Sequence, residues 1–327
     1  MKHKIAIIVS YIGKLPNYFP FFVASCKRNP SVDFFILNDT IAKDSNDANI
    51  AYWKMSLAEF NAVASAKLGF TVNLKEGWKM NELKPALGYI FEDRLRHYDF
   101  WGWSDLDIIF GSMRNFLTEE TLNMYDVFTT REKWTTGHFT LFRNDDKSRA
   151  LFLHSPSYRQ IFMSDRYTAF EESSHRWHGD FFTFDELLSE GKLVSMFDVV
   201  KNLEKQGFIR AHFRDIIREH PQPVNYLYRD GRIFDLYSNE EFFYHHLITI
   251  KKIWRFYIPG WKTIPDKFLI TKWGIMRMGD AKIPARWLWF VKRAWSALPA
   301  VYRSVKKQKP GAVLGKLAGE VGFRAKA

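Results

Sequence analysis

KIAIIVS (Lys4–Ser10), YFPFFVASC (Tyr18–Cys26) and VDFFIL (Val32–Leu37) follow one another near the start of the chain and decide its fold. The first and third stretches are short, apolar and rich in β-branched or aromatic residues, which is typical of buried strands. The middle stretch carries its apolar residues at helical spacing. Strand, helix and strand in this order predict a βαβ unit, and such units build a parallel sheet.

Polar residues follow both predicted strands where a ligand of such a sheet would lie. Tyr11 comes directly after the first strand, and Asp39 follows the second. Ligands of open α/β sheets bind at the carboxyl ends of the strands. Further elements are predicted downstream: a helix at 56–68 with a Ser56–Glu59 capping box, a helix after Pro85, strands at 100–104, 126–130 and 139–144, and a helix at 240–253.

The composition is that of a globular protein. Of 327 residues, 46% are hydrophobic and 26% are charged, enough for one large α/β domain with an appendage. Aromatic residues make up 17%, an excess that fits a Phe-rich core as well as stacking against sugar faces or bases. Cys26 is the single cysteine, so an intramolecular disulfide is impossible and a reducing compartment is expected.

The net charge of +12 is unevenly distributed. Residues 251–327 contain 18 basic residues (Lys and Arg) and three acidic ones (Asp and Glu). Residues 1–250 contain 30 basic and 33 acidic residues. We therefore predict a catalytic domain at 1–250 and a basic, aromatic-rich, helical extension at 251–327, with the last ~18 residues disordered. Because the main domain is slightly acidic, nucleic acid is not expected as a partner. Lys and Arg mixed with Trp and Leu in the extension favour an anionic membrane surface.

Asp105-Leu106-Asp107 is the motif with the clearest chemistry. Two carboxylates two residues apart, just after a predicted strand, can share one hard divalent cation such as Mn²⁺ or Mg²⁺. The apolar flanks Phe100–Trp103 and Ile108–Phe110 place the two charges between buried segments. Since unpaired buried carboxylates are costly, a cation would offset them. Diphosphate oxygens would fill the remaining coordination positions.

Four stretches of the sequence resemble a family of bacterial glycosyltransferase-like proteins, the DUF6625 group. They are YIGKLPNYF (11–19), KMNELKPALGYIFED (79–93), YDFWGWSDLDIIFG (98–111) and GHFTLFRN (137–144). The resemblance covers residues 4–250 and is most specific around the D-x-D motif. One position departs from the pattern, because Glu82 stands where the family has an aspartate before Lys-Pro.

The resemblance implies a GT-A-like fold, that is, a Rossmann-type mixed sheet flanked by helices. It also implies a hexosyltransferase-like enzyme (EC 2.4) that uses a nucleotide-sugar donor, foremost a UDP-sugar, in cell-surface polysaccharide assembly. By position, Tyr11 and Asp39 would line the nucleoside site and Lys84 would approach the donor phosphates. Asp105, Gly137 and His138 would also contact the sugar nucleotide.

Two further assignments concern catalysis and the metal. Phe184-Asp185-Glu186 resembles a short element of the family, and Asp185 or Glu186 could act as general base on an acceptor hydroxyl. Surface acids at a helix start explain these residues equally well. His245 or His246 could supply a third metal ligand, and we assign it to His246.

The sequence thus predicts a cytoplasmic, metal-dependent glycosyltransferase, peripheral on the inner face of the cytoplasmic membrane. Its acceptor would be a glycan or a lipid-linked sugar. The alternative is a non-catalytic, membrane-associated protein with a degenerate GT-A domain. Neither the donor sugar nor the stereochemical course follows from the sequence.

Overall fold

The predicted βαβ unit is present in the computed structural model, which describes residues 2–175, 182–219, 225–248, 251 and 256–278. It consists of β1 (Ile5–Ser10), α1 (Phe19–Lys27) and β2 (Val32–Asn38). The two strands are parallel, with Ile5 opposite Val32. Pro20 lies in the first turn of α1, where a missing N–H is tolerated.

Eight strands form one mixed sheet. The strands after β2, up to residue 213, are β3 (Ser45–Asp47), β4 (Ile50–Lys54), β5 (Phe100–Ser104), β6 (Ile108–Phe110), β7 (Val127–Thr129), β8 (Phe139–Arg143) and β9 (Ala211–Phe213). All but β6 join the sheet, in the order β3-β4-β2-β1-β5-β8-β7-β9. Strands β4, β2, β1 and β5 are parallel, and β8 runs antiparallel to β5.

Helices and 3-10 turns connect these strands. The α-helices are α2 (Leu57–Leu68), α3 (Leu87–Ile90), α4 (Glu92–Leu95), α5 (Glu119–Met124), α6 (Asp146–Arg149), α7 (Tyr158–Met163), α8 (Phe184–Ser189) and α9 (Met196–Lys205). The 3-10 helices are Gly77–Ala86, Met113–Asn115 and Leu151–His154. The predicted capping box of α2 is confirmed, since the Ser56 hydroxyl accepts from the Glu59 N–H and the Glu59 carboxylate accepts from the Ser56 N–H. The helix predicted after Pro85 is split into α3 and α4.

Both faces of the large sheet are buried. Ala6 and Ile8 of β1 pack into one apolar cluster together with Trp101 and Trp103 of β5. The alternate residues of β1 pack into a second cluster on the opposite face. A sheet covered on both faces by helices and loops is the predicted α/β architecture.

A second sheet lies beyond residue 225. It contains β10 (Tyr226–Arg229), β11 (Arg232–Asp235), β12 (Glu241–Phe242), β14 (Lys267–Thr271) and β15 (Gly274–Met276), in the antiparallel order β12-β11-β10-β14-β15. This sheet crosses residue 250, where we predicted the domain boundary, because β14 pairs with β10. The part of the predicted extension from 279 to 327 lies outside the described residues.

The helix predicted at 240–253 is wrong over the residues that the structure describes. In its place β12 is followed by β13 (Tyr244–His246), which pairs with β6. Residues 242–247 are all buried, and a short buried run fits a strand as well as a helix. Its main-chain groups bond to the chain around the D-x-D motif, where the Asp107 carbonyl accepts from the Leu247 N–H at 2.7 Å. No helix in the described part of the chain is both long and apolar enough to span a bilayer.

Candidate active site

The two aspartates of the D-x-D motif lie just past the carboxyl end of β5, beside the ends of β1 and β2. Asp105 donates its N–H to the His138 carbonyl at 3.0 Å, which joins it to the start of β8. Asp107 is buried and immediately precedes β6. Strand β6 pairs antiparallel with β13, and Ile108 stands opposite His246. Backbone pairing therefore brings His246 next to Asp107.

Asp105, Asp107 and His246 form a group that could hold a metal ion. One carboxylate oxygen of each aspartate and one ring nitrogen of His246 all lie within 4.8 Å of one another. The Nε2 atom of His246 is 3.4 Å from Asp107 Oδ2, and its Nδ1 atom is 3.0 Å from Glu219 Oε1. A carboxylate on the second ring nitrogen is the usual way in which a metal-ligating histidine is oriented. The donor set and its support fit a divalent cation.

Two lysines contact the same aspartates. Lys84 Nζ lies 2.5 Å from Asp105 Oδ1 and 2.7 Å from the Gly137 carbonyl oxygen. Lys251 Nζ donates to Asp107 Oδ2. Burial disfavours the charged form of Lys84, but the carboxylates of Asp105, Glu171 and Glu172 together outweigh it and raise the pKa of this lysine. Both ammonium groups are thus placed to contact phosphate oxygens of a ligand bound at the aspartates.

His246 carries a proton in the absence of a cation. Burial opposes its charge, but the carboxylates of Asp107 and Glu219 raise the pKa of His246 to about 9. His246 and Lys251 together overcome the desolvation of Asp107 and hold the pKa of that carboxyl well below its usual range. A metal ion would therefore replace a proton on His246.

A second group of ligand-type atoms adjoins the first. His138, Glu219 and His246 also place one ligand atom each within 4.8 Å of the others. Tyr244 fixes the His138 ring through a 2.6 Å contact between its hydroxyl and Nδ1. Burial, together with the charge of His246, lowers the pKa of His138 to about 4. His138 is therefore neutral at physiological pH, the form in which a histidine can accept a hydrogen bond or bind a metal.

Several of the residues predicted from the sequence meet at this site. Gly137 connects Lys84 with Glu172, since its carbonyl accepts from Lys84 and its N–H donates to Glu172 Oε1 at 2.8 Å. Asp39 accepts from the Gly13 N–H at 2.7 Å, which joins it to the loop of Tyr11 at the same edge of the sheet. His245, the other histidine considered as a ligand, pairs with Ile109 and belongs to neither group.

Asp185 and Glu186, the two residues considered as general base, lie at a helix start. They lie in the first turn of α8, where the Glu186 carboxylate accepts from the Thr183 N–H and hydroxyl in a capping box. The structural explanation, surface acids at a helix start, accounts for the contacts that Glu186 makes.

Three carboxylates near the site were not singled out from the sequence. Glu219 contacts His138 and His246 and pairs with Arg131. Glu172 adjoins Gly137, and Glu171 lies buried beside it. Burial raises the pKa of Glu171 to about 8, with the neighbouring carboxylates of Glu172 and Glu82 contributing. No local pattern marks these residues, because each reaches the site through a loop.

The sequence model of a family of unknown function (DUF6625) matches residues 7–277. The chain belongs to this family. The DUF6625 match confirms the resemblance seen in the sequence and contains both D-x-D aspartates, the two histidines of the site and Lys251. It ends just after β15, so that it reaches the last strand of the second sheet.

Solved structures that partly resemble the fold of this DUF6625 chain include three glycosyltransferases. Mouse xyloside xylosyltransferase 1 has a TM-score of 0.37 at 9% identity, covering 67% of this chain and 87% of its own. The galactosyltransferase LgtC, solved with donor and acceptor sugar analogs, has a TM-score of 0.31 at 10% identity, and the match covers 74% of this chain and 86% of LgtC. The glycosyltransferase GlyE of Streptococcus pneumoniae has a TM-score of 0.32 at 9% identity, and the match covers 64% of this chain and 45% of GlyE. A search of curated proteins gave no match.

Proposed function

We propose that this chain is a metal-dependent glycosyltransferase that moves a sugar from a nucleotide-sugar donor, foremost a UDP-sugar, to a glycan or lipid-linked acceptor. The observation that carries the proposal is the joint placement of Asp105, Asp107 and His246 with Lys84 and Lys251. Three ligand atoms and two ammonium groups converge at the carboxyl edge of a mostly parallel sheet. A metal-bound diphosphate is the ligand that this combination suits.

The residues divide the work on such a donor. Asp105, Asp107 and His246 would hold Mn²⁺ or Mg²⁺, which supplies Lewis-acid stabilisation of the charge on the leaving diphosphate. Glu219 orients His246, and it keeps the ring in position through its contact with Nδ1. Lys84 and Lys251 each contact an aspartate oxygen to which the cation would bind. Once the cation is bound there, the two ammonium groups can contact phosphate oxygens instead.

The test is a thermal-shift panel of UDP-glucose, UDP-galactose, UDP-N-acetylglucosamine and GDP-mannose, each with and without Mn²⁺. A bound ligand raises stability by mass action, by about 2.7 kcal/mol at a hundredfold excess over Kd. We expect one donor to raise the Tm only with Mn²⁺, and the rise to vanish in Asp105→Asn and Asp107→Asn. Asp93→Asn is the matched control, since Asp93 is an exposed aspartate paired with Lys67 and Arg96.

Two results would contradict the proposal. If no donor shifted the wild-type Tm, donor binding would be excluded. If the shift survived in both D-x-D variants, the metal site would be elsewhere. Release of free sugar from the bound donor, measured by chromatography, separates a transferase from a chain that only binds nucleotides.

We also propose that the protein acts at the inner face of the cytoplasmic membrane in cell-surface glycan assembly. The support is the sequence of residues 251–327, with 18 Lys and Arg, three Asp and Glu, and several Trp. Co-sedimentation with vesicles tests it. Binding to vesicles with an anionic lipid, weakened by salt, is expected, and equal binding to neutral vesicles would refute the electrostatic part.

A further inference from the structure

Trp78 and Tyr167 form an exposed aromatic pair beside the candidate active site. Their ring centroids are 6.2 Å apart with the planes at 81°, and about half of each residue is exposed. Within the described ranges, no other ring contact joins two exposed Phe, Tyr or Trp side chains. Rigid, amphipathic rings left open to water in pairs are typical of ligand-binding surfaces.

The pair is held by the chain on both sides. Lys79, next to Trp78, donates to the carbonyl of Arg166, next to Tyr167. Glu82 accepts from the Thr168 N–H and, at 2.9 Å, from the Phe170 N–H. Both Lys79 and Glu82 are buried. These bonds fasten the 3-10 segment Gly77–Ala86 to the loop that carries Tyr167, so the main-chain segments that carry the two rings are joined to each other.

A continuous series of contacts connects the pair with the D-x-D aspartates. The Tyr167 hydroxyl donates to Glu171 Oε1 at 2.7 Å, and the next residue, Glu172, accepts from the Gly137 N–H. The Gly137 carbonyl accepts from Lys84, which also contacts Asp105. Trp78 and Lys84 belong to the same 3-10 segment. Six residues at a rise of about 2.0 Å place their backbones roughly 12 Å apart, a distance of one to two sugar rings.

The charges near the pair favour a neutral ligand. Asp165 and Arg166, both exposed, have opposite charges, and buried Lys79 lies 3.5 Å from Glu82. Among the described residues named here, positive and negative charges balance, so they offer no excess of positive charge for a phosphate or a lipid head group. On the side facing Asp105, the partly exposed carboxyl is that of Glu172, and a carboxylate suits hydroxyl donors.

We infer that Trp78 and Tyr167 form the platform on which the sugar ring of a neutral saccharide acceptor stacks. The inference rests on the proposed function, since it places an acceptor next to a donor held at Asp105 and Asp107. The apolar face of a pyranose ring lies against Trp78, and its hydroxyl groups face the edge formed by Glu172. Tyr167 is a positioning residue, because it supports the Trp78 ring edge-on and is itself fixed by Glu171.

Saturation-transfer NMR with the full-length protein tests the platform directly. The probes are the methyl glycosides of glucose, galactose, mannose and N-acetylglucosamine, each added without nucleotide or metal. At least one should show transfer to its ring protons, and the Kd taken from the concentration dependence of that signal should rise about tenfold, or 1.4 kcal/mol, in Trp78→Ala. Trp78→Phe should retain part of the affinity. Tyr237→Ala is the matched control, because Tyr237 is a highly exposed aromatic residue in the turn between β11 and β12.

The outcomes separate this inference from the proposed function. An unchanged Kd in Trp78→Ala, or no signal from any glycoside with the wild-type chain, overturns the platform. If Trp78→Ala weakens UDP binding in the presence of Mn²⁺ as strongly as glycoside binding, the ring stacks on the base of the donor and the inference is also wrong. Failure of nucleotide binding in the wild-type chain, with the glycoside result intact, overturns the donor site alone.

Discussion

The Nε2 atom of His246 lies 3.4 Å from Oδ2 of Asp107, and a pair of short strands fixes this contact. Asp107 immediately precedes β6 and His246 ends β13, and in this antiparallel pair Ile108 is opposite His246. The third ligand of the candidate metal site therefore comes from main-chain register and not from a mobile loop. Such a ligand needs little rearrangement to bind a cation.

Cation binding should release a proton. His246 has a pKa of about 9 without a metal, so it must lose a proton to coordinate one below that pH. Affinity for Mn²⁺ should accordingly rise with pH, by up to about tenfold per unit between roughly pH 6 and 9. Calorimetry in two buffers of different ionisation enthalpy measures the released proton. If His246→Asn releases as much as the wild-type chain, His246 is not the ligand.

Loss of Glu219 should weaken the metal site while leaving the fold intact. Glu219→Gln removes the carboxylate charge that holds the His246 ring in its orientation through Nδ1. Loss of such a partner of a metal-ligating histidine costs roughly 10- to 100-fold in metal affinity. The measurement is Mn²⁺ titration by calorimetry. Glu240→Gln is the control, because Glu240 pairs with Arg218 at the surface. Equal affinities in both variants would remove Glu219 from the site.

Glu171 should make the protein less stable as the pH rises. Its pKa is raised from 4.5 to about 8 in the folded chain by burial, so between these values the folded state holds a proton that the unfolded state has lost. The free energy of unfolding therefore falls as pH rises through this window, by at most about 1.4 kcal/mol per unit. Glu171→Gln removes the titration. The Tm difference, variant minus wild type, should be more positive at about pH 8.5 than at about pH 5.5.

A constant difference across that range would show that Glu171 does not titrate there. Glu190→Gln serves as control, since Glu190 is exposed and pairs with Lys192 at 2.6 Å. The two variants change the same functional group in buried and exposed surroundings, so that only burial distinguishes their pH profiles.

Gly102 should not tolerate a side chain. A Cβ atom at this position of β5 would lie 2.4 Å from the Thr140 carbonyl oxygen, a backbone atom of the neighbouring strand. Gly102→Ala should cost about 1–3 kcal/mol in stability, measured by denaturant unfolding. Gly260→Ala is the matched control, because its Cβ would meet no atom within 4 Å. Equal unfolding midpoints for the two variants would contradict the close packing of β5 on β8.

The sequence predicts best those parts that depend on local patterns. Strands β1, β2 and β5, helix α1 and the Ser56 capping box all follow from apolar spacing and a cap residue, and the structure confirms them. The helix predicted at 240–253 failed because pairing with β6 outweighs local preference. Apolar runs of this length do not distinguish a buried strand from a helix.

The site shows the same division. Asp105 and Asp107 form a motif that can be recognised in the sequence, and the structure places His246 beside them. Glu219 has no such signal, because it lies in an irregular segment and reaches His246 only through tertiary contacts such as the Arg218–His245 bridge. Asp185 and Glu186 matched a short element, yet Glu186 is engaged in capping its own helix. Short matches at helix starts are easily produced by capping chemistry.

The pairing of β6 with β13 also bears on how the protein comes to be made. All eight strands of the large sheet lie before residue 214, so a ribosome has completed them before it adds His246 and Lys251. Translation proceeds at about 5–20 residues per second, and during that interval Asp107 has neither of these partners. The nascent chain thus contains every strand of its large sheet well before β13 has been made. A chain that ended between these points would carry all eight strands but lack His246, the third of the groups proposed to bind the ion.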